Sequence, residues 1–203
     1  MADTVVTVFV EGDTEVDFYK KLIAFLREKN GGHLPCKVNV KNVKGVGNYQ
    51  SKVSRIFLFG VKPQNTDSVH KIVLCYDTDA FQFSRKPPVE WDAVVTNLTN
   101  KGAAKVCLVK AVTSIEDWFL YDAGGLRQFL KLPKDFRMSG YKGLKGLEQL
   151  FIRAGRTYIK GIHCKGLVDA LDMEVIYPRI KGEVEGLEEM IKGYKGSRGG
   201  TKK

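Results

Sequence analysis

Residues 4–10 read Thr-Val-Val-Thr-Val-Phe-Val and run directly into Glu11-Gly12. Six of the seven are β-branched, and the other is Phe9. Such side chains are stiff at χ1 and pack well on a pleated surface. A run this apolar is expected to be buried on both faces, as the strands of a parallel sheet are. Gly12 permits a tight turn, and Asp13 or Thr14 can cap a following helix. Glu11 is thereby placed at the carboxyl end of a central strand, where open α/β sheets bind their ligands.

A second acidic site closes another apolar run. Residues 71–76, Lys-Ile-Val-Leu-Cys-Tyr, lead into Asp77-Thr78-Asp79. Residues two apart in an extended chain share a side, so Asp77 and Asp79 are expected to converge. With Glu11 they form a pocket of three carboxylates. Their mutual repulsion would be relieved by a hard divalent cation such as Mg²⁺.

Between and after these sites, helix and strand patterns alternate. Val16, Tyr19, Leu22, Ile23 and Leu26 recur at helical spacing, and Asn30-Gly31-Gly32 ends that helix near residue 29. Residues 35–43 alternate apolar and polar, as a strand near a sheet edge does. Gly45-Val46-Gly47-Asn48 is a turn into a helix carrying Tyr49, Val53, Ile56 and Phe57. Residues 69–76 give the third strand, 81–88 a loop, 90–101 a helix and 104–110 the fourth strand. This β-α-β-α-β-α-β order predicts an α/β fold: an open, mainly parallel four-stranded Rossmann-like sheet with helices on both faces. Ser114, with Asp117 three residues on, reads as a capping-box variant opening a short helix. Glu116 and Asp117 follow the fourth strand, on the same sheet edge as the other acids.

Composition narrows the setting. The chain has 203 residues, 43% of them hydrophobic, which suits one sizeable domain with an appendage. No apolar run approaches the ~20 residues that cross a bilayer, and the start has Asp3 and no basic region. No membrane partner and a cytoplasmic location are the expectation. Cys36, Cys75, Cys107 and Cys164 form no Cys-x-x-Cys pair, so buried free thiols are expected rather than zinc.

The net charge of +10 favours a polyanionic partner. Residues 131–165 concentrate it, with nine basic residues against only Asp135 and Glu148. Lys142, Lys145, Arg153, Arg156, Lys160 and Lys165 are candidates for nucleic-acid binding. Phe136, Tyr141, Tyr158 and His163 lie among them, and basic groups mixed with aromatics suit a phosphodiester backbone and stacked bases. The expected division is an α/β domain over 1–124, a basic helical C-terminal extension over 125–192 and a disordered basic tail over 193–203.

Strand-Glu11-Gly12-Asp13-Thr14-Glu15, then strand-Asp77-Thr78-Asp79, in this βα order, resembles the TOPRIM domain. That metal-binding fold is shared by topoisomerases, bacterial primases, small RNA-maturation nucleases and OLD-family nucleases. The form of the first motif is most similar to the OLD-family branch and to small stand-alone TOPRIM proteins. The turn at Gly45-Val46-Gly47-Asn48-Tyr49 is similar to one seen there after the second strand. The resemblance covers about residues 4 to 122.

The resemblance implies that Glu11, Asp77 and Asp79 are catalytic and hold the first of one or two Mg²⁺ or Mn²⁺ ions. Glu15, Glu116 and Asp117 would be further metal-site acids. A lysine beyond the sheet would act on the phosphate, with Lys160 favoured over Lys142. The function implied is a metal-dependent nuclease cutting DNA or RNA. No Gly-x-x-x-x-Gly-Lys-Ser/Thr loop is present, so an ATPase partner, as in a phage-defence system, would be a separate chain. The alternative is a metal- and nucleic-acid-binding or regulatory module without turnover. A phosphotransferase using Asp77 as nucleophile would leave Glu11 without a role. In a dinucleotide-binding domain, the acid in the first turn would repel a pyrophosphate.

Overall fold

The structure is a computed structural model, and it describes residues 3–79 and 89–192. The loop expected at 81–88 and the tail expected at 193–203 lie outside the described residues. Four strands, β1 (Thr4–Val10), β2 (Lys37–Asn42), β3 (Val69–Asp77) and β4 (Lys105–Ala111), pair in the order β2-β1-β3-β4. Every pairing is parallel. Among the described residues eight α-helices accompany them. They are α1 (Asp13–Lys29), α2 (Tyr49–Ile56), α3 (Trp91–Asn100), α4 (Ile115–Leu120), α5 (Ala123–Phe129), α6 (Gly143–Arg153), α7 (Leu167–Ala170) and α8 (Met173–Lys192). The expected α/β class and parallel sheet are both present.

Strand pleating divides β1 between two cores. Val6, Val8 and Val10 face one side, with Phe18, Leu22 and Leu26 of α1 and with α4 to α8. Val5 and Phe9 face the other, with Tyr49, Val53 and Phe57, and with Val94 and Leu98 of α3. Helices therefore cover both faces. The first crossover, through α1, takes one face, whereas the crossovers through α2 and α3 take the other. The change of side falls between β1 and β3, making their carboxyl ends the switch point of the sheet. The Tyr49 hydroxyl fastens α2 there by bonding the Cys75 carbonyl.

A separate C-terminal appendage is not seen, because α8 packs against the sheet. Ile176, Ile180, Val184, Leu187 and Ile191 of this helix are buried in the same core as Val73 of β3 and Val109 of β4. A Cβ on Gly186 would stand 2.4 Å from Cys107 Sγ of β4, so helix and strand meet with no spare space. Glu183 secures the contact, its Oε2 accepting from the Val112 amide at 2.7 Å and from Trp118 Nε1 at 3.2 Å. The periodicity of this segment was legible, but its apolar stripe needed a partner, and the exposed face of β3–β4 is what it covers. The thiols also depart from expectation: Cys75 is buried, while Cys36, Cys107 and Cys164 are only partly so.

Candidate functional site: an acidic cluster around Lys160

β1 delivers Glu11 and β3 delivers Asp77 to adjacent positions at the switch point. The Glu11 side chain reaches across, its Oε1 accepting from the Asp77 amide at 3.1 Å. Asp77 is itself 4% exposed, and its Oδ1 accepts from the Ile115 amide at 3.0 Å. The strand ends at Asp77, so two-residue alternation does not carry Asp79 inward as expected. Instead, the chain is held back toward β4. The Asp79 amide donates to the Thr113 carbonyl at 2.8 Å, and Thr78 Oγ1 accepts from the Thr113 amide at 2.8 Å.

Lys160 makes the convergence. Its Nζ lies 2.8 Å from Asp77 Oδ2 and 3.0 Å from Asp79 Oδ2. Of the basic residues singled out from the sequence, Lys160 is the one brought to the acids. Residues 160–162 lie as a strap across the start of α1. The Asp13 amide donates to the Gly161 carbonyl at 3.0 Å, and Thr14 Oγ1 donates to the Ile162 carbonyl at 2.7 Å. Neither Asp13 nor Thr14 caps α1 through its side chain; Gly12 occupies the capping position in extended backbone. The need for glycine at 12 is spatial rather than torsional. A Cβ there would stand 2.5 Å from Gly161 Cα and 2.6 Å from Glu15 Oε2.

Glu15 and Glu116 complete the cluster. They are 5% and 1% exposed, and one oxygen of each, Oε2, has no hydrogen-bond partner among the described residues. The other Glu116 oxygen accepts from the Tyr158 hydroxyl at 3.0 Å. Tyr158 is thus a buried prop of the site rather than an exposed stacking platform. Phe136 and Tyr141 stack on each other, and His163 Nδ1 pairs with Asp17 at 2.5 Å, so these aromatics also serve the fold. Asp117 turns away to accept from the Gly143 amide at 2.7 Å, which holds the start of α6. The Ser114–Asp117 capping box does not form, since the Ser114 side chain makes no cap bond.

The other basic candidates are placed apart from the acids. Lys142, Lys145, Arg153 and Lys165 are exposed. The Arg156 guanidinium lies 4.3 Å from the Phe129 ring centroid and donates to the Phe129 carbonyl at 3.3 Å. Residues missed from sequence are Thr14, Tyr158 and Gly161, which fasten the strap. Their partners lie more than a hundred residues away in two of the three cases, and no local pattern encodes that.

The electrostatics follow from burial. Burial, and then Glu116 and Glu11 nearby, raise the Glu15 carboxyl from 4.5 to about 7. Burial likewise pushes Glu11 up, and pushes Asp77 well up despite the opposing Lys160 charge. For Lys160 burial opposes the charged form, but Asp77 and Glu116 outweigh it and its pKa rises. One ammonium thus faces five carboxyl groups, and the cluster must take up protons or further cations.

These residues suit a hard divalent cation in donor chemistry, with carboxylate oxygens only: Glu15 Oε2 and Glu116 Oε2 have no hydrogen-bond partner among the described residues, and Asp77 Oδ2 meets only the Lys160 ammonium. A small cavity of about 10 Å³ is lined in part by Glu11, Glu15 and Asp77, the size of a single water or ion. In the arrangement seen, however, no three of the acids among the described residues are grouped closely enough to hold a metal. They are grouped around the ammonium. Beside them a cleft of about 650 Å³ opens, lined by Glu11, Asp13, Glu15, Asn42, Lys44 and Lys160 among others. No family model, curated protein or solved structure matches the chain significantly.

Proposed function

We propose that the chain is a metal-dependent phosphodiesterase of TOPRIM type that cuts nucleic acid at this cluster. The observation that carries the reading is Glu11 and Asp77 side by side at the switch point, with Lys160 joining Asp77 to Asp79. Glu11, Asp77 and Asp79 would hold a Mg²⁺ or Mn²⁺ ion, with Glu15 and Glu116 within reach of a second. A bound ion supplies an activated water and offsets charge at the phosphorus and at the leaving oxygen. Asp117 is left out of this set because its carboxylate holds α6.

The chain's own groups do the rest. Glu11 bridges β1 and β3 and keeps the two acids in register. The buried Glu116, held by Tyr158, contributes negative charge that favours a cation. Lys160 supplies a positive charge for a phosphate oxygen, strongest as charge grows in the transition state. The cleft would admit a strand from the side of β2, and Lys44 lines it together with the 160–162 strap. The exposed Lys142, Lys145, Arg153 and Lys165 add an attraction for phosphate that depends on salt.

The test is cleavage of labelled single-stranded DNA, duplex DNA and total tRNA in Mg²⁺, Mn²⁺ or EDTA. Asp77→Asn keeps the shape of the side chain and removes its charge. We expect metal-dependent cutting by the native chain and a loss of about a hundredfold or more in the variant. Equal cutting by both would end the assignment. Metal-induced stabilisation without cutting of any substrate would favour the non-catalytic binding module.

A further inference from the structure

The Lys160 ammonium bridges one oxygen of Asp77 and one of Asp79. Asp77 Oδ1 accepts from the Ile115 amide at 3.0 Å. Oδ2 faces Lys160 Nζ at 2.8 Å, and the same ammonium holds Asp79 Oδ2 at 3.0 Å. An ion that takes the two Oδ2 atoms as ligands therefore replaces the ammonium that now bridges them.

We propose that Lys160 is a built-in occupant of the metal site: it holds Asp77 and Asp79 in the metal-free chain and is expelled into the adjacent cleft when a divalent cation binds. This rests on the metal-site reading above and adds how loading of that site is controlled. The side chain can make the move without unfolding anything. The strap's backbone stays fastened, with Gly161 bonded to the Asp13 amide and Ile162 to Thr14. The Lys160 side chain is 26% exposed, and Lys160 also lines the 650 Å³ cleft into which it would turn.

Two consequences follow. Metal binds more weakly than three strand-end carboxylates alone would bind it, because each ion must displace an ion pair. The displaced ammonium also arrives where a phosphate oxygen lies, so loading the metal and presenting the positive charge become one event. A chain of this design keeps its acids neutralised until metal is abundant or until a substrate phosphate draws Lys160 away. The substrate would then raise metal affinity, and the metal would raise substrate affinity by the same factor.

Two measurements test this in the full chain with Mn²⁺ as the probe. The first is Mn²⁺ affinity by calorimetry for the native chain and Lys160→Gln. The variant is expected to bind roughly tenfold more tightly or better, since it removes the competing charge. The second uses the native chain alone, so it stands even where the variant fails to fold. Acetylation of lysines by an amine-reactive reagent is followed by mass spectrometry with and without Mn²⁺. Lys160 is expected to label slowly without the ion and several-fold faster with it, while the exposed Lys142 stays unchanged as the internal reference. Unchanged or slower labelling of Lys160 with Mn²⁺ bound overturns the proposal, as does equal or weaker affinity in Lys160→Gln. Tighter Mn²⁺ binding by the variant, with no cutting by the native chain, keeps the occupant and removes the nuclease. Absence of Mn²⁺ binding by both chains removes both readings.

Discussion

Glu15 is an acid buried to 5% exposure with an orphaned oxygen, and its carboxyl titrates near 7 rather than 4.5. Between these values the native chain holds a proton that the unfolded chain has lost. Stability is therefore full below pH 4.5, falls as pH rises toward 7, and stays low above it. At about 1.4 kcal/mol per pH unit, the loss from this group is up to ~3 kcal/mol. In EDTA, Glu15→Gln should flatten much of the decline, leaving what Glu11 and Asp77 contribute in the same direction. Urea midpoints at pH 5 and pH 8 measure it. Equal pH slopes in the native chain and variant would show that Glu15 is not held protonated. Among single residues, the strand-end acids Glu11 and Asp77 were legible because an acid after an apolar run stands out. The role of Tyr158 was hidden, because a tyrosine among lysines reads the same whether it faces water or Glu116.

At the scale of elements, the site depends on two segments lying nearly in contact: the turn from β1 to α1 and the strap at 160–162. Gly12→Ala leaves its own backbone unstrained, because φ is −143° there. The new Cβ, 2.5 Å from Gly161 Cα, would instead push the strap away. We expect a cost of ~1–3 kcal/mol, the usual range for overpacking. We also expect faster proteolysis near residue 160 and weaker coupling of Lys160 to Asp77. Gly47→Ala is the control, since nothing lies within 4 Å of a Cβ there. Thermal melts and limited proteolysis of the two variants compare them directly. If both melt like the native chain, the strap is not pressed against Gly12. Element identities followed from short-range pattern: β1, β3 and β4 come within a residue or so of expectation, and α1 ends at residue 29 as expected. The caps did not, because a side chain's choice between its own helix and a distant partner is settled by what packs nearby. Asp13 accepts from Asn42, Thr14 donates to Ile162, and Asp117 accepts from Gly143.

Among the described residues there is one hydrophobic unit on each side of the sheet, and the larger unit draws on residues from Val6 to Ile191. A fragment of residues 1–124 would uncover Val73 and Val109 and lose the helix that shields them. It should therefore lack a cooperative thermal transition and near-ultraviolet circular dichroism, with the full chain as reference. A fragment that melts sharply would restore the C-terminal third to the status of an appendage. Among the described residues no helix is long and apolar enough to cross a membrane.

What the sequence by itself determined is the class of fold and the edge at which charge gathers. Both are written in runs of a few residues: β-branched strands, helical stripes, and acids where the strands stop. Only the tertiary structure decided which cation the acids meet, which of them turn away, and that the basic C-terminal third builds the core and holds the site. These outcomes depend on pairs such as Lys160 with Asp77 and Gly12 with Gly161, separated by more than eighty residues of chain. Their distance is set by how the whole chain packs, and no local preference can specify it.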